Sequence, residues 1–196
     1  MASDVDAVVN ELSLSRFVIV GHSMGGNVAF AYASAHPGRI AGLLLADPTD
    51  DAQARPAVRR WLARILVKKF PFEALWNRIL QGAQPQVKAA VLDDLRDVPR
   101  GVLIDVIRAN ADFDASAALA KYPGPAISII TRMNDVSSAL HRVSSRVRAV
   151  RVEGTSHWLQ MDDPAEFNRL MDEFLIDAGW QERRDQQHPG GGENLS

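Results

Sequence analysis

Three runs of the chain are apolar at almost every position: Phe17-Val18-Ile19-Val20, Ile40 to Ala46, and Ala126-Ile127-Ser128-Ile129-Ile130. Runs this short and this uniformly apolar fit strands covered on both faces, the condition of a strand inside a parallel sheet. A fourth run, Val147 to Val152, alternates apolar and basic residues and predicts another strand. Helical spacing fills the chain around them. Val5, Val8, Val9 and Leu12 repeat along residues 3–14, with Ser3 placed to cap the helix. Asn27 to Ala35, rich in alanine and carrying Val28, Phe30 and Tyr32, predicts a helix over 26–35 that stops at His36-Pro37-Gly38. Strands alternating with helices predict an α/β fold of βαβ units around a parallel sheet.

Beyond Asp47-Pro48 the alternation stops. From Arg55 to about Tyr122 every periodic stretch is helical. Val58, Trp61, Leu62, Ile65 and Leu66 make one apolar face, and Phe72, Leu75, Trp76, Ile79 and Leu80 make the next. Val87, Val91, Leu92 and Leu95 follow, then Val102, Leu103, Val106 and Ile107, with breaks at Pro71, Gly82, Pro85 and Pro99. The strand pattern resumes at 126. A short helix near 137–143 leads to the last strand, and a longer one runs from Pro164 to Ala178 with Phe167, Leu170, Met171, Phe174 and Leu175 inward. Residues 1–180 therefore read as one domain with a helical insertion at about 52–122. The Gln-, Arg-, Asp- and Gly-rich stretch 181–196 reads as a disordered tail.

Composition narrows the chemistry. A chain of 196 residues is long enough for one substantial core, and 46% hydrophobic with 23% charged residues is ordinary for a globular domain. A net charge of -2 argues against a nucleic-acid partner. The absence of cysteine removes disulfides, a thiolate nucleophile and cysteine-ligated metal. No apolar run is long enough to span a bilayer, and the first residues carry no leader pattern, so a cytoplasmic location is the expectation.

The stretch Gly21-His22-Ser23-Met24-Gly25-Gly26 lies between the first strand and its helix. Gly-x-Ser-x-Gly in that context forms a nucleophile elbow. A sharp, strained turn lifts the serine clear of the sheet. Glycines at 21 and 25 let strand and helix approach. The Met24 amide and the positive end of the helix then meet at the position of a developing oxyanion.

These residues, with Val28-Ala29-Phe30-Ala31-Tyr32-Ala33, His36-Pro37-Gly38-Arg39-Ile40, and Gly154-Thr155-Ser156-His157 ahead of Met161-Asp162-Asp163-Pro164-Ala165-Glu166-Phe167, resemble the α/β-hydrolase family over about residues 3–178. The resemblance implies a helical cap in the insertion and a triad in the order Ser, acid, His. Ser23 is the expected nucleophile. Among five histidines, His157 follows the last strand at the sheet edge where α/β proteins bind ligands, and is the expected base. His141 sits on a polar stretch, His36 at a helix end and His188 in the tail. The side chain of His22 should leave the elbow away from Ser23, and His22 and Trp158 are expected to line the substrate site. Asp135, directly after the third strand, is favoured as the acid by the family's chain order, with Asp47, after the second strand, as the alternative. Asp162 and Asp163 read as helix caps. Trp61, Trp76 and Trp158 read as core or pocket lining. Arg55, Arg59, Arg60, Arg64, Lys68 and Lys69 read as a solvated face, with anionic membrane or acidic substrate as the sharper alternative.

The expected activity is a serine hydrolase acting on a small-molecule carboxylic ester or similar acyl substrate, with no cofactor and no metal. A cofactor-free haloperoxidase or C–C bond hydrolase on the same triad is a further reading, and a catalytically weak or inactive relative serving as a binding or assembly subunit is another. The family's strands before the elbow strand, and the loop with its second oxyanion donor, have no counterpart in this sequence. One oxyanion-hole donor contributes roughly 3–4 kcal/mol of transition-state stabilisation. The first strand then becomes an edge, expected to pair with a second copy or with a separate N-terminal half.

Overall fold

The computed structural model describes residues 1–69 and 71–179, so the tail over 181–196 lies outside the described residues. Strands β1 (Phe17–His22), β2 (Ile40–Ala46), β3 (Ala126–Ile130) and β4 (Val147–Arg151) form one sheet in the order β1-β2-β3-β4, every pair parallel. Helix α1 (Ala2–Glu11) precedes the sheet and α2 (Met24–Ala35) joins β1 to β2. Helices α3 (Ala57–Leu66), α4 (Phe72–Ile79), α5 (Pro85–Arg96), α6 (Arg100–Asp112) and α7 (Ala115–Ala120) lie between β2 and β3. Helix α8 (Leu140–Val143) joins β3 to β4, and α9 (Leu159–Asp162) and α10 (Pro164–Asp177) follow.

Burial explains the uniform apolar runs. Every residue of β2 and of β3 is buried, and successive side chains serve opposite faces. Leu43 and Leu45 pack with Phe30, Tyr32, Leu119 and Tyr122. Leu44 and Ala46 pack with Phe167, Leu170 and Phe174. Gly42 lets α10 press close, because a Cβ there would lie 2.8 Å from the Phe174 ring. Truncating a fully buried leucine such as Leu44 to alanine costs about 2–5 kcal/mol. β1 does not meet the expectation of cover on both faces: it pairs only with β2 among the described residues, Phe17, Val18 and Ile19 are half-buried, and Val20 is 46% exposed.

The sequence pattern misleads in two further places. Ser3 lies inside the first turn of α1, whose N-cap is Met1 without a side-chain bond. The apolar face of α3 points outward: Val58 is 61%, Trp61 57% and Ile65 52% exposed. The opposite side of α3 carries the half-buried Arg60 and Ala63 instead. Arg60 donates to the carbonyl and side-chain oxygens of Gln53. Of the two roles expected of it, Trp61 is not a core residue but lines an open cleft with Gln53, Arg60 and Arg64. The basic segment is partly neutralised within the fold, Arg55 by Asp50 and Arg64 by Asp112 at 3.2 Å. Trp76 and Trp158 do pack, against Leu80, Val87 and Val91 in a small core of the insertion. No helix among the described residues is long and apolar enough to cross a membrane.

Candidate active site

Three ladder bonds carry the sheet past its strand ends and bring the chemistry to one edge. The Ser23 amide donates to Ala46 O (2.9 Å), Asp47 to Ile129 O (2.7 Å), and Val152 to Ile130 O (2.9 Å). Ser23 and Asp47 thus stand side by side at the C-terminal ends of β1 and β2, where open α/β sheets hold ligands. Ser23 adopts φ 54, ψ -121, and Asp47 adopts φ 41. Both values are uncommon for residues with a Cβ, and conformations of this kind cost about 1–3 kcal/mol each.

The turn at Ser23 depends on Gly21. A Cβ at Gly21 would lie 2.5 Å from Gly25 O, whereas a Cβ on Gly25 meets nothing within 4 Å. Close approach therefore requires glycine at 21 and not at 25. Met24 is the first residue of α2, so its N–H has no acceptor within the helix and lies at the positive end of the helix dipole.

His157 Nδ1 lies 2.6 Å from Asp47 Oδ2. Asp47 is fully buried and His157 nearly so. A carboxylate oxygen accepts, so the proton of this contact sits on Nδ1. The carboxylate of Asp47 takes two more bonds, from the Thr131 amide (2.7 Å) and the Thr131 hydroxyl (3.0 Å). The Asn134 side-chain amide donates to Asp47 O at 3.3 Å. A buried charge held this way has its desolvation compensated by hydrogen bonds.

Asp135 is not brought to His157. Its carboxylate binds Arg142 (2.7 Å), His141 (3.1 Å) and Arg151 (3.4 Å). The hydrogen bond from Arg142 chiefly holds its pKa below the usual carboxylate value. Its position after β3 matches the expected acid, but the loop turns the side chain toward α8 and β4. Thr131 and Asn134, from that same loop, serve Asp47 instead. They are the residues that sequence reasoning missed, and only Asn134, directly before Asp135, gave a local polar signal.

His22 is tied to the same group. Its Nε2 lies 2.8 Å from His157 O, and the two rings are 4.8 Å apart. A carbonyl accepts only, so Nε2 donates. Burial, and then the neighbouring His157, push the pKa of His22 below its ordinary value. Trp158 is edge-on to His157 at 5.1 Å. Asp162, read as a cap, is buried and accepts from Ser156 N (2.8 Å), Ser156 Oγ (2.5 Å) and Gln84 N (2.9 Å). Asp163 caps α10 through Glu166 N. An apolar cleft of about 480 Å³ beside the elbow is lined by Met24, Asn27 and Val28 of α2 and by Val102, Val106 and Phe113. Among the described residues no group of three or more His, Cys, Asp or Glu is arranged to hold a metal ion.

The chain belongs to the alpha/beta hydrolase family, whose model matches residues 1–170. Solved structures resemble it in fold. A thermophilic esterase from Thermogutta terrifontis superposes with TM-score 0.73 at 21% identity, over 90% of this chain and 71% of that one. A bromoperoxidase from Bacillus anthracis superposes with TM-score 0.71 at 18% identity, over 89% and 72%. Curated relatives match over shorter stretches. A probable 1-acylglycerol-3-phosphate O-acyltransferase of Oryza sativa subsp. japonica is 34% identical over 68 residues, 35% of this chain and 15% of that protein. A serine hydrolase-like protein of Danio rerio is 44% identical over 45 residues, 23% of this chain and 14% of that protein. The matched stretch is about a seventh of each of these relatives' length.

Proposed function

We propose that the chain is a serine hydrolase that cleaves a small carboxylic ester, with Ser23 as nucleophile, His157 as base and then acid, and Asp47 as the acid that orients the imidazole. Asp47 takes the role expected of Asp135. The observation that carries this reading is the 2.6 Å contact of His157 Nδ1 with Asp47, beside a serine held at φ 54 on a strand-to-helix turn. His157 Nε2 removes the Ser23 proton as Oγ bonds to the ester carbonyl carbon. The oxyanion meets the Met24 amide, and the same proton passes to the departing alkoxide as the carbon–oxygen bond breaks. Water, deprotonated by His157, then releases the acid and restores Ser23. Esterase and enol-lactonase folds among the solved structures support a carbonyl substrate.

The test is labelling by a fluorophosphonate together with p-nitrophenyl butyrate turnover, in the parent chain and in Ser23→Ala. Labelling and turnover that both vanish in the variant support the reading. A chain that never labels is the binding or assembly relative instead. The bromoperoxidase neighbour favours a second reading, perhydrolysis on the same triad, read by adding acetate, peroxide and bromide and following bromination of a phenol dye.

A further inference from the structure

A second cleft, of about 510 Å³, has His157 in its wall. Resting on the hydrolase reading above, we propose that this cleft receives the alcohol half of the ester, and that Arg78 and Arg132 select alcohols bearing a carboxylate.

The direction follows from the proton. His157 hands it to the leaving oxygen, so the leaving group lies against His157 and the acyl group lies on the other side of the carbonyl. The 510 Å³ cleft is bordered by His157, whereas the apolar 480 Å³ cleft is bordered by Met24, whose amide faces the oxyanion, and does not include His157. The charges of the two clefts differ in the same sense. The His157 cleft carries Arg78, from α4, and Arg132, from the loop after β3, and contains no Asp or Glu. Neither guanidinium has a carboxylate partner among the described residues. Asp135, the nearest acid along the chain to Arg132, is already engaged by Arg142, His141 and Arg151. The apolar cleft has Asp105 in its wall, which disfavours a second anion there. The His157 cleft also offers the Gln81 amide, and the Thr155 hydroxyl in its wall has no hydrogen-bond partner. Two guanidinium groups on separate elements, flanking one opening, suit a carboxylate that accepts from both.

The reaction balances as ordinary hydrolysis. The ester carbon–oxygen bond and one O–H bond of water break. The acid and a hydroxy-carboxylate form, with no redox partner.

Three esters separate the positions of charge: phenyl acetate, 4-acetoxybenzoate with the anion on the alcohol, and monophenyl succinate with the anion on the acyl group. The parent chain should favour 4-acetoxybenzoate over phenyl acetate in kcat/KM by about tenfold, a figure set by charge-assisted bonds at a partly exposed site. In R78Q/R132Q that ratio should fall to about one, and in the parent it should shrink as NaCl is raised. A ratio untouched by the double variant, or a preference for monophenyl succinate, overturns the proposal. Binding reads the cleft without turnover. By calorimetry, Ser23→Ala should bind 4-hydroxybenzoate more tightly than phenol and lose the difference when Arg78 and Arg132 are replaced as well. No difference there overturns the cleft assignment. Binding that behaves as stated, in a chain whose Ser23 neither labels nor turns over any ester, keeps the anion site and sinks the hydrolase reading.

Discussion

Replacing Asp47 with asparagine is the sharpest test of the site, because it changes charge and proton placement while leaving shape almost unaltered. The Oδ1 of the new amide still accepts from the Thr131 N–H, which lies 2.7 Å from the present carboxylate, and its NH2 group can donate to the Thr131 hydroxyl. That same NH2 faces His157 Nδ1 across 2.6 Å. A donor there forces Nδ1 to accept, which moves the imidazole proton to Nε2. His157 then has no lone pair for the serine proton and no carboxylate to stabilise its charged form. The equivalent change in other serine triads lowers kcat by roughly 10⁴-fold, about 5 kcal/mol of barrier. Asp135→Asn only weakens a solvent-screened ion cluster away from His157, and turnover should stay within roughly threefold of the parent. The assay is kcat/KM on a p-nitrophenyl ester for both variants, with melting curves to establish that each is folded. A folded Asp47→Asn chain with near-parental turnover, or a larger loss in Asp135→Asn, would falsify the assignment of Asp47.

Three further outcomes follow from the geometry. Gly21→Ala should cost at least about 3 kcal/mol in denaturant melts, since its Cβ meets backbone at 2.5 Å; Gly25→Ala, with no neighbour within 4 Å, should cost far less, and equal losses would contradict this. His22 has its pKa lowered from 6.5 by burial, so below pH 6.5 the unfolded chain binds a proton that the folded chain resists. Stability is full above that pH and falls toward the lowered value, and Tm measured from pH 8 to 5 should fall less steeply in His22→Asn. Asp162→Asn sets an amide donor against the Ser156 N–H or the Gln84 N–H and should destabilise by about 1–3 kcal/mol, with faster hydrogen exchange at both amides; unchanged exchange would refute it.

The sheet was legible because parallel strands buried on both faces leave runs such as Ile40 to Ala46 that little else produces. The elbow was legible because Gly21 and Ser23 obey a local steric rule. The acid was not. Asp47 and Asp135 both follow strands, and what separates them is the direction in which a short loop sends Thr131, Asn134 and Asp135. That direction goes with the contacts Asp135 makes to His141, Arg142 and Arg151, six, seven and sixteen residues further on, which the strand-then-acid pattern does not contain. The outward face of α3 was missed for a related reason. Periodicity reports that a helix is amphipathic, but not which side finds a neighbour.

Asp162 also changes how the helical insertion should be regarded. It holds Ser156 on one side and Gln84, at the start of α5, on the other, while Ile79 O at the end of α4 receives the His157 amide at 3.3 Å. Residues 79–84 are therefore sewn to the loop that carries His157. An insertion attached in this way is not an interchangeable cassette. Grafting the corresponding segment from a relative to change substrate range would also shift the imidazole, and the graft would be read first in kcat. Recombination that respects the stitch must move 79–84 and 154–162 together, as one inherited piece.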